Sequence, residues 1–452
     1  MNEKLRIMNP YISKTFFILN FSFLIVLASC SITKQISKQA NTILLNDTAI
    51  RTGHIGISIY EPATNTYWYN YNADKYFIPA SNTKLFTLYA GMKYLGDSLV
   101  GARYYHFGNT LFVAPSGDPT FLHPEYDYQP LLRLLKEANS DIFINAVSDK
   151  VYKYGKGWAH DDYNESYMTE RSKFPIYGNN LWISAKPIYP KYLLRDTLID
   201  TAVNLGRYWA YIKPKYFAES VRASTNYQPG ISLKRDILIN TFRIEVSKDD
   251  SLNIMTIPFA VNQGRTSIEI LSYILNKKIV NGIGVELKTK DTILHSQPSD
   301  SLFKPMMHRS DNFFAEQTLL MASNEHLGYM SDEKIIDTLL KLDLKDVPQK
   351  PRWVDGSGLS RYNLFTPQSF VYILNKTKNE FGWDRLKNIL PTGGTGTLSS
   401  YFKKDSSFIY AKTGTLSNNC AYATRFTRPR FTQSARTSTC PNTSPRSRPA
   451  SF

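Results

Sequence analysis

The stretch Pro79-Ala80-Ser81-Asn82-Thr83-Lys84-Leu85-Phe86-Thr87-Leu88 (residues 79–88) joins a serine and a lysine to the start of an apolar repeat. Leu85, Leu88, Met92 and Leu95 keep helical spacing, which predicts a helix over 81–95 that Gly96 is placed to end. Ser81 and Lys84 stand three apart, so they share one face of its first turn. A serine hydroxyl is a poor nucleophile at its own pKa and needs a base. A lysine amine within reach serves when burial or a second cation keeps it neutral. Ser-x-x-Lys alone carries little weight, since it starts at Ser31, Ser81, Ser301, Ser331 and Ser400. Ser81 differs in its surroundings. Residues 54–61 alternate Ile55, Ile57 and Ile59 as a strand, Pro62-Ala63-Thr64-Asn65 supplies turn chemistry, and 66–72 (TYWYNYN) reads as the return strand. A hairpin leads into the serine and a helix leads out.

Two later motifs fit the same chemistry. Ser310-Asp311-Asn312 opens a helical segment, Phe313-Phe314-Ala315-Glu316-Gln317. A hydroxyl there can shuttle a proton, and a carboxamide can bond both a lysine and a substrate carbonyl. The competing reading is a plain helix cap by Ser310 or Asp311. Lys412-Thr413-Gly414, followed by Thr415, lies inside residues 408–416 (FIYAKTGTL), which read as a strand. An edge strand pairs with an extended peptide through its backbone, and a glycine permits close approach. The competing reading is an ordinary strand with an exposed lysine. In this order, S-x-x-K, S-D-N and K-T-G form the set found in β-lactamases and penicillin-binding proteins.

Further segments extend the match: Gly117-Asp118-Pro119-Thr120, Gly157-Trp158 with Asp161-Asp162, Asp355-Gly356-Ser357-Gly358-Leu359-Ser360-Arg361, and Gly396-Thr397-Leu398. With these the chain resembles the D-alanyl-D-alanine carboxypeptidase/endopeptidase family, the low-molecular-mass class C penicillin-binding proteins (peptidase family S13). The resemblance implies an α/β (α+β) fold. A penicillin-recognising, β-lactamase-like serine transpeptidase domain would span 51–104 and 261–420, interrupted by a mainly β insert over 105–260. It implies Ser81 as the acylated nucleophile and Lys84 as its base. Ser310 and Lys412 would relay the proton to the departing D-Ala, and Asn312 would hold Lys84 and the substrate amide. Thr413, Gly414 and Thr415 would line the substrate, and the N–H groups of Ser81 and Thr415 would form the oxyanion hole. Asp161, Asp162 and the Asp355–Arg361 turn read as structural. The implied activity is hydrolysis of D-Ala-D-Ala ends and D-Ala cross-links in peptidoglycan, without a cofactor, with β-lactams as acylating inhibitors. Two alternatives stand beside it: a β-lactamase, which the long insert disfavours, and an inactive penicillin- or wall-binding lipoprotein.

The ends of the chain carry separate signals. Lys4, Arg6 and Lys14 accompany the apolar run 15–28 (TFFILNFSFLIVLA), long enough for a signal peptide and short for a membrane span. It ends Leu27-Ala28-Ser29-Cys30, which resembles the lipobox of bacterial lipoproteins. Residues 1–29 would then be a signal peptide, Cys30 the lipidated N-terminus, and 30–50 a polar tether holding the folded part outside the cytoplasm. An ordinary secretory signal or an uncleaved anchor competes with this. At the other end, 421–452 is rich in Ser, Thr, Pro and Arg and reads as disordered. Family members continue after Asn419 with an apolar strand beside the Lys-Thr-Gly strand. Here the sequence turns basic through Arg425, Arg428 and Pro429, which predicts a Lys412 strand without that neighbour.

Composition bounds the rest. An apolar content of 42% excludes a wholly disordered chain. The formal charge of +16 includes six arginines, and no acid, in 421–452. No nucleic-acid motif accompanies it, so nucleic acid is not an expected partner. The seven histidines form no H-E-x-x-H, so no metal is expected. Cys30, Cys420 and Cys440 give no disulfide framework.

Overall fold

The computed structural model describes residues 33–48, 50, 53–148, 150–187, 202–204, 208–225, 231–246, 255–282, 291–426 and 433–438. The expected signal peptide, Cys30 and the end of the tail lie outside these residues. Residues 33–45 of the expected tether are helical.

The first hairpin forms as its alternation implies. Strand β1 (Ile55–Glu61) pairs antiparallel with β2 (Thr66–Tyr71), and Ile55 and Ile57 are buried. A single helical turn, Ala80–Thr83, leads into α1 (Lys84–Tyr94), and Gly96 follows it in a left-handed conformation (φ +67°). The apolar spacing suggests one buried face. Instead every residue from Lys84 to Met92 is buried. Such a helix runs through a core rather than along its surface.

The chain then leaves for an insert of three sheets. The first contains β3 (Ser98–Phe107), β4 (Thr110–Pro115) and β5 (Asp141–Ile144), with α2 (Pro130–Glu137) between the last two. Strands β6 (Asn180–Pro187), β7 (Ala202–Asn204), β8 (Tyr208–Lys213), β9 (Val221–Thr225), β10 (Ile231–Arg235), β11 (Phe242–Val246) and β12 (Met255–Pro258) build the other two, in the orders β12-β6-β8-β7 and β10-β11-β9. After α3 (Arg265–Leu275), β13 (Ile279–Asn281) and β14 (Thr292–Pro298) return to the two edges of the first sheet, whose order is β13-β5-β4-β3-β14. Two hydrophobic cores follow this division. One draws on residues from Tyr60 to Leu99 and from Leu302 to Ala423, the other on residues from Ala102 to Ile279. The second core begins earlier and ends later than the 105–260 insert expected from the sequence. The reason is that Ala102 on β3 opens this core, and α3 and β13 carry Ile268, Ile270, Leu271 and Ile279 back into it.

The rest of the chain completes the first core. It runs through α4 (Ser299–His308), α5 (Asn312–Leu327), α6 (Asp332–Lys341), α7 (Pro367–Phe381), α8 (Trp383–Ile389), β15 (Ile409–Leu416), β16 (Asn419–Phe426) and β17 (Gln433–Ser438). Helix α1 lies against α4, α5 and α7. The last three strands join the first hairpin in one antiparallel sheet, β15-β16-β17-β1-β2.

That sheet corrects the expectation for the C-terminus. Lys412 does have a neighbour: β16 pairs with β15 over its whole length, from Ile409–Phe426 to Leu416–Asn419. Residues 433–438, expected to be disordered, pair with both β16 and β1. A ladder needs backbone groups rather than large apolar side chains, and the inward residues Ala421 and Ala423 are buried despite their size. Cys420 is disulfide-bonded, which the cysteine spacing did not suggest.

Gly91 allows α1 its central place, since a Cβ there would meet Phe303 Cε1 at 2.6 Å and Thr318 Cγ2 at 2.7 Å. Gly91→Val is therefore expected to cost about 1–3 kcal/mol through overpacking, read as a lower midpoint of chemical unfolding.

Candidate active site

The nucleophile turn is shaped by crowding. Ala80 adopts φ +48°, a left-handed conformation that costs a non-glycine residue about 1–2 kcal/mol. It is held by Asn82 N–H donating to the Pro79 carbonyl (3.2 Å) and Thr83 Oγ1 donating to the Ala80 carbonyl (2.9 Å). Two glycines press on it. A Cβ on Gly358 would lie 1.9 Å from the Ala80 carbonyl oxygen, and one on Gly414 would lie 2.6 Å from that of Pro79. The same point at Gly414 is 3.0 Å from the backbone nitrogens of Ser81 and Asn82, so β15 runs directly beside the Ser81 N–H. Asn82, Thr83 and Lys84 are fully buried, whereas Ser81 keeps part of its surface.

The three motifs converge on this turn. Lys84 Nζ lies 3.1 Å from Ser81 Oγ, 2.7 Å from Asn312 Oδ1 and 2.8 Å from the Ser357 carbonyl oxygen. The Tyr167 carbonyl accepts from Asn312 Nδ2 (3.0 Å), which turns the amide oxygen toward the lysine. Lys412 Nζ donates to Ser310 Oγ (2.9 Å). Ser310 sits at φ +62°, and Asp311, not Ser310, caps α5 by accepting from the Phe314 N–H (2.9 Å). The cap reading and the site reading of this motif thus fall on different residues. Thr413 and Thr415 lie on β15, the edge strand of its sheet, with Thr415 exposed. Among the other Ser-x-x-Lys matches, Ser331 caps α6 and Ser301 donates to the Pro298 carbonyl at the start of α4.

Electrostatics follow from burial. Burial lowers the Lys84 amine to about 8, against an upward pull from Asp355, Glu316 and Asp311. Lys412 is driven well below the usual lysine range, first by burial and then by the charge of Lys84. Two buried cations side by side therefore favour a neutral amine.

Sequence reasoning missed a third layer. Asp355 accepts from Gly358 N–H (2.8 Å), Ser360 N–H (2.6 Å), Asn363 Nδ2 (2.7 Å) and Trp158 Nε1 (2.9 Å). The turn is structural, as expected, yet its Ser357 carbonyl touches Lys84. Glu316 accepts from the Ser357 N–H (2.7 Å) and from Arg171 (3.2 Å). The adjacency of Ala315-Glu316 to the S-D-N motif was the signal available for Glu316. A backbone carbonyl leaves none. Among the described residues, no group of three or more His, Cys, Asp or Glu is placed to hold a metal ion.

The family model for D-Ala-D-Ala carboxypeptidase 3 (S13) matches residues 37–429. This chain belongs to that family. D-alanyl-D-alanine carboxypeptidase DacB of Haemophilus influenzae is 24% identical over 373 residues, 73% of this chain and 72% of that protein. The crystal structure of penicillin-binding protein 4 (dacB) from the same organism shares the fold. Its TM-score is 0.69 at 19% identity, covering 91% of this chain and 95% of that one. The same protein complexed with a novel β-lactam gives a TM-score of 0.63 at 17% identity, covering 88% and 93%.

Gly414→Ala is expected to push β15 away from the Ser81 N–H while leaving the circular dichroism spectrum unchanged. Release of D-alanine from a D-Ala-D-Ala peptide should fall by about a hundredfold or more in kcat/KM, the loss typical of a displaced oxyanion donor.

Proposed function

We propose that this chain cleaves the terminal D-Ala-D-Ala bond of peptidoglycan stem peptides, and D-Ala cross-links, through an ester on Ser81. The observation that carries the reading is the position of Lys84 Nζ between Ser81 Oγ and two carbonyl oxygens. A neutral amine has two hydrogens and one lone pair. Asn312 Oδ1 and the Ser357 carbonyl can only accept, so they take the hydrogens, and the lone pair is left for the Ser81 hydroxyl.

The reading assigns a group to each step. Lys84 removes the Ser81 proton as the oxygen attacks the carbonyl of the penultimate D-Ala. The N–H groups of Ser81 and Thr415 receive the developing oxyanion. Ser310, in hydrogen bond with Lys412, relays that proton from Lys84 to the departing amine, and the C–N bond breaks. Thr413 and Thr415 face the terminal carboxylate beside Lys412. Water then splits the ester, the shortened peptide leaves with a new carboxylate, and Ser81 regains its proton. A β-lactam opens on the same serine, but its amine stays tethered to the acyl group, which slows release.

The alternative of an inactive wall-binding protein arose from a missing strand beside Lys412, and β16 occupies that place. The family match removes the ground for a β-lactamase. Action on peptidoglycan requires a site outside the cytoplasm. We infer a lipid anchor at Cys30 from the apolar run ending Leu27-Ala28-Ser29-Cys30. Among the described residues, no helix is long and apolar enough to cross a membrane.

Labelling by a fluorescent penicillin tests the core of the reading. Wild type should label and Ser81→Ala should not; equal labelling of both would remove Ser81 from the role. The base must be neutral to act, so the acylation rate should rise about tenfold per pH unit up to about 8 and level off above it. An unperturbed lysine would place that limb near 10.4. Cys30→Ser should abolish incorporation of labelled palmitate in cells while leaving penicillin labelling intact.

A further inference from the structure

We propose that Arg171, contributed by the insert, and Glu316 are positioning residues for Lys84, holding the Ser357 carbonyl where it orients the amine. The proposal rests on the reading of Ser81 and Lys84 given above and adds residues that touch neither substrate nor nucleophile.

The connection is continuous. Arg171 Nη1 donates to Glu316 Oε2 (3.2 Å), and Glu316 Oε1 accepts from the Ser357 N–H (2.7 Å). The Ser357 carbonyl accepts from Lys84 Nζ (2.8 Å). Arg171, Glu316, Ser357 and Lys84 are all buried. The two peptide units on either side of Ser357 are each pinned on both sides. The unit joining Gly356 and Ser357 gives its N–H to Glu316, and its carbonyl accepts from Thr87 Oγ1 (2.6 Å). The unit joining Ser357 and Gly358 gives its N–H to Asp355 (2.8 Å) and its carbonyl to Lys84. Gly358 is already against the Ala80 carbonyl, so the turn cannot move toward the nucleophile.

Arg171 is anchored in its turn by the insert. Its Nε donates to the Tyr152 carbonyl (3.0 Å) and its Nη2 to the Tyr154 carbonyl (3.0 Å). It also pairs with Asp332 at the start of α6 and lies over the Trp158 ring, 5.6 Å from the centroid. Trp158 Nε1 reaches Asp355 in the same turn. The insert therefore grips the Ser357 turn twice, through Glu316 and through Asp355.

The consequence for Lys84 is directional. With both acceptors in place, the neutral amine has one orientation. Without the Ser357 carbonyl, rotation about the terminal C–N bond has three staggered wells, and the lone pair faces Ser81 in only one of them. The charged groups facing Lys84 are Glu316, Asp355 and Asp311, with Lys412 opposite on β15. Those facing Glu316 are Asp355, Arg171 and Asp332. Removing the Glu316 charge takes one carboxylate from around the base, which makes the neutral amine easier to form.

The test is the pH profile of acylation by fluorescent penicillin on the full chain. Rates are normalised to the protein that labels at long times, so misfolded material does not count. Glu316→Ala and Arg171→Gln should lower the high-pH plateau by about a hundredfold, the scale of a small misplacement in an active site. Glu316→Gln retains an acceptor for the Ser357 N–H. It should recover most of the plateau and shift the acid limb to lower pH. Arg171→Lys, which keeps the charge but not the fork, should fall between wild type and Arg171→Gln. Variants within twofold of wild type with an unmoved limb would overturn the proposal while leaving Ser81 secure. So would Glu316→Gln as slow as Glu316→Ala with its limb unmoved. No label on wild type would overturn the Ser81 reading and this proposal with it.

Discussion

Two lysine amines, Lys84 and Lys412, are both fully buried at one end of α1. Taking an ammonium out of water costs several kcal/mol even after relaxation. Two together repel as well, and Lys412 feels Lys84 directly. The surrounding structure can be read as the answer to that cost. Glu316, Asp355 and Asp311 face Lys84 and offset part of its burial. The balance leaves the base near 8, so about a tenth of it is neutral at pH 7. More carboxylate charge would keep the amine protonated and idle. Less would leave an uncompensated ion in the core. The Glu316 carboxyl is itself raised to about 7 by burial and by Asp355, with Arg171 pulling it down. The guanidinium thus helps to keep charged the carboxylate that Lys84 needs.

Close backbone approach sets the second constraint. The 79–81 turn is flanked by Gly358 on one side and Gly414 on the other, with distances that no side chain could share. This crowding, together with the Asn82 and Thr83 hydrogen bonds of the turn, holds Ala80 at φ +48°. Strained residues persist where their surroundings over-determine them. Here the surroundings are the Asp355 turn and β15, which are also the two elements that bring Ser357 and Lys412 to the serine. Strain and site therefore have one cause. A loosened turn would relax Ala80 and release the Ser81 N–H from β15 at the same time.

How much of this was legible depends on whether the signal lay in side chains. The hairpin 55–71 followed from alternation and α1 from helical spacing, and the helical and strand readings after Ser310 and around Lys412 stand as α5 and β15. The motif residues Ser81, Lys84, Ser310, Asn312 and Lys412 do meet, because three short patterns in a fixed order are hard to produce by chance. The burial of α1 on all sides was not legible, since an apolar spacing describes one face and says nothing of what covers the others. Strand β16 was missed for the opposite reason. Its small Ala421 and Ala423 and its basic Arg425 gave no apolar alternation, and β16 pairs through its backbone with β15 and β17. The Ser357 carbonyl was beyond reach, because every residue has a carbonyl and only the fold says where it points.

The insert then takes on a different character from a peripheral addition. A long excursion between the first two motifs suggests an addition that leaves the chemistry to the core holding Ser81. Yet its Tyr167 carbonyl orients Asn312, its Arg171 holds Glu316, and its Trp158 holds Asp355. The first ends on a residue that bonds Lys84 directly, and the other two end on carboxylates that reach it through the Ser357 turn. A base that is buried, crowded by cations and fixed by two acceptors cannot be tuned by one domain alone when those acceptors are themselves held by another. Removing the Arg171 guanidinium alone would leave Glu316 as a buried carboxylate without its cation, a loss of about 3–5 kcal/mol for a broken buried pair. The same contacts that stabilise the junction therefore decide the state of the amine, and stability of the two cores and competence of the serine are properties of one network.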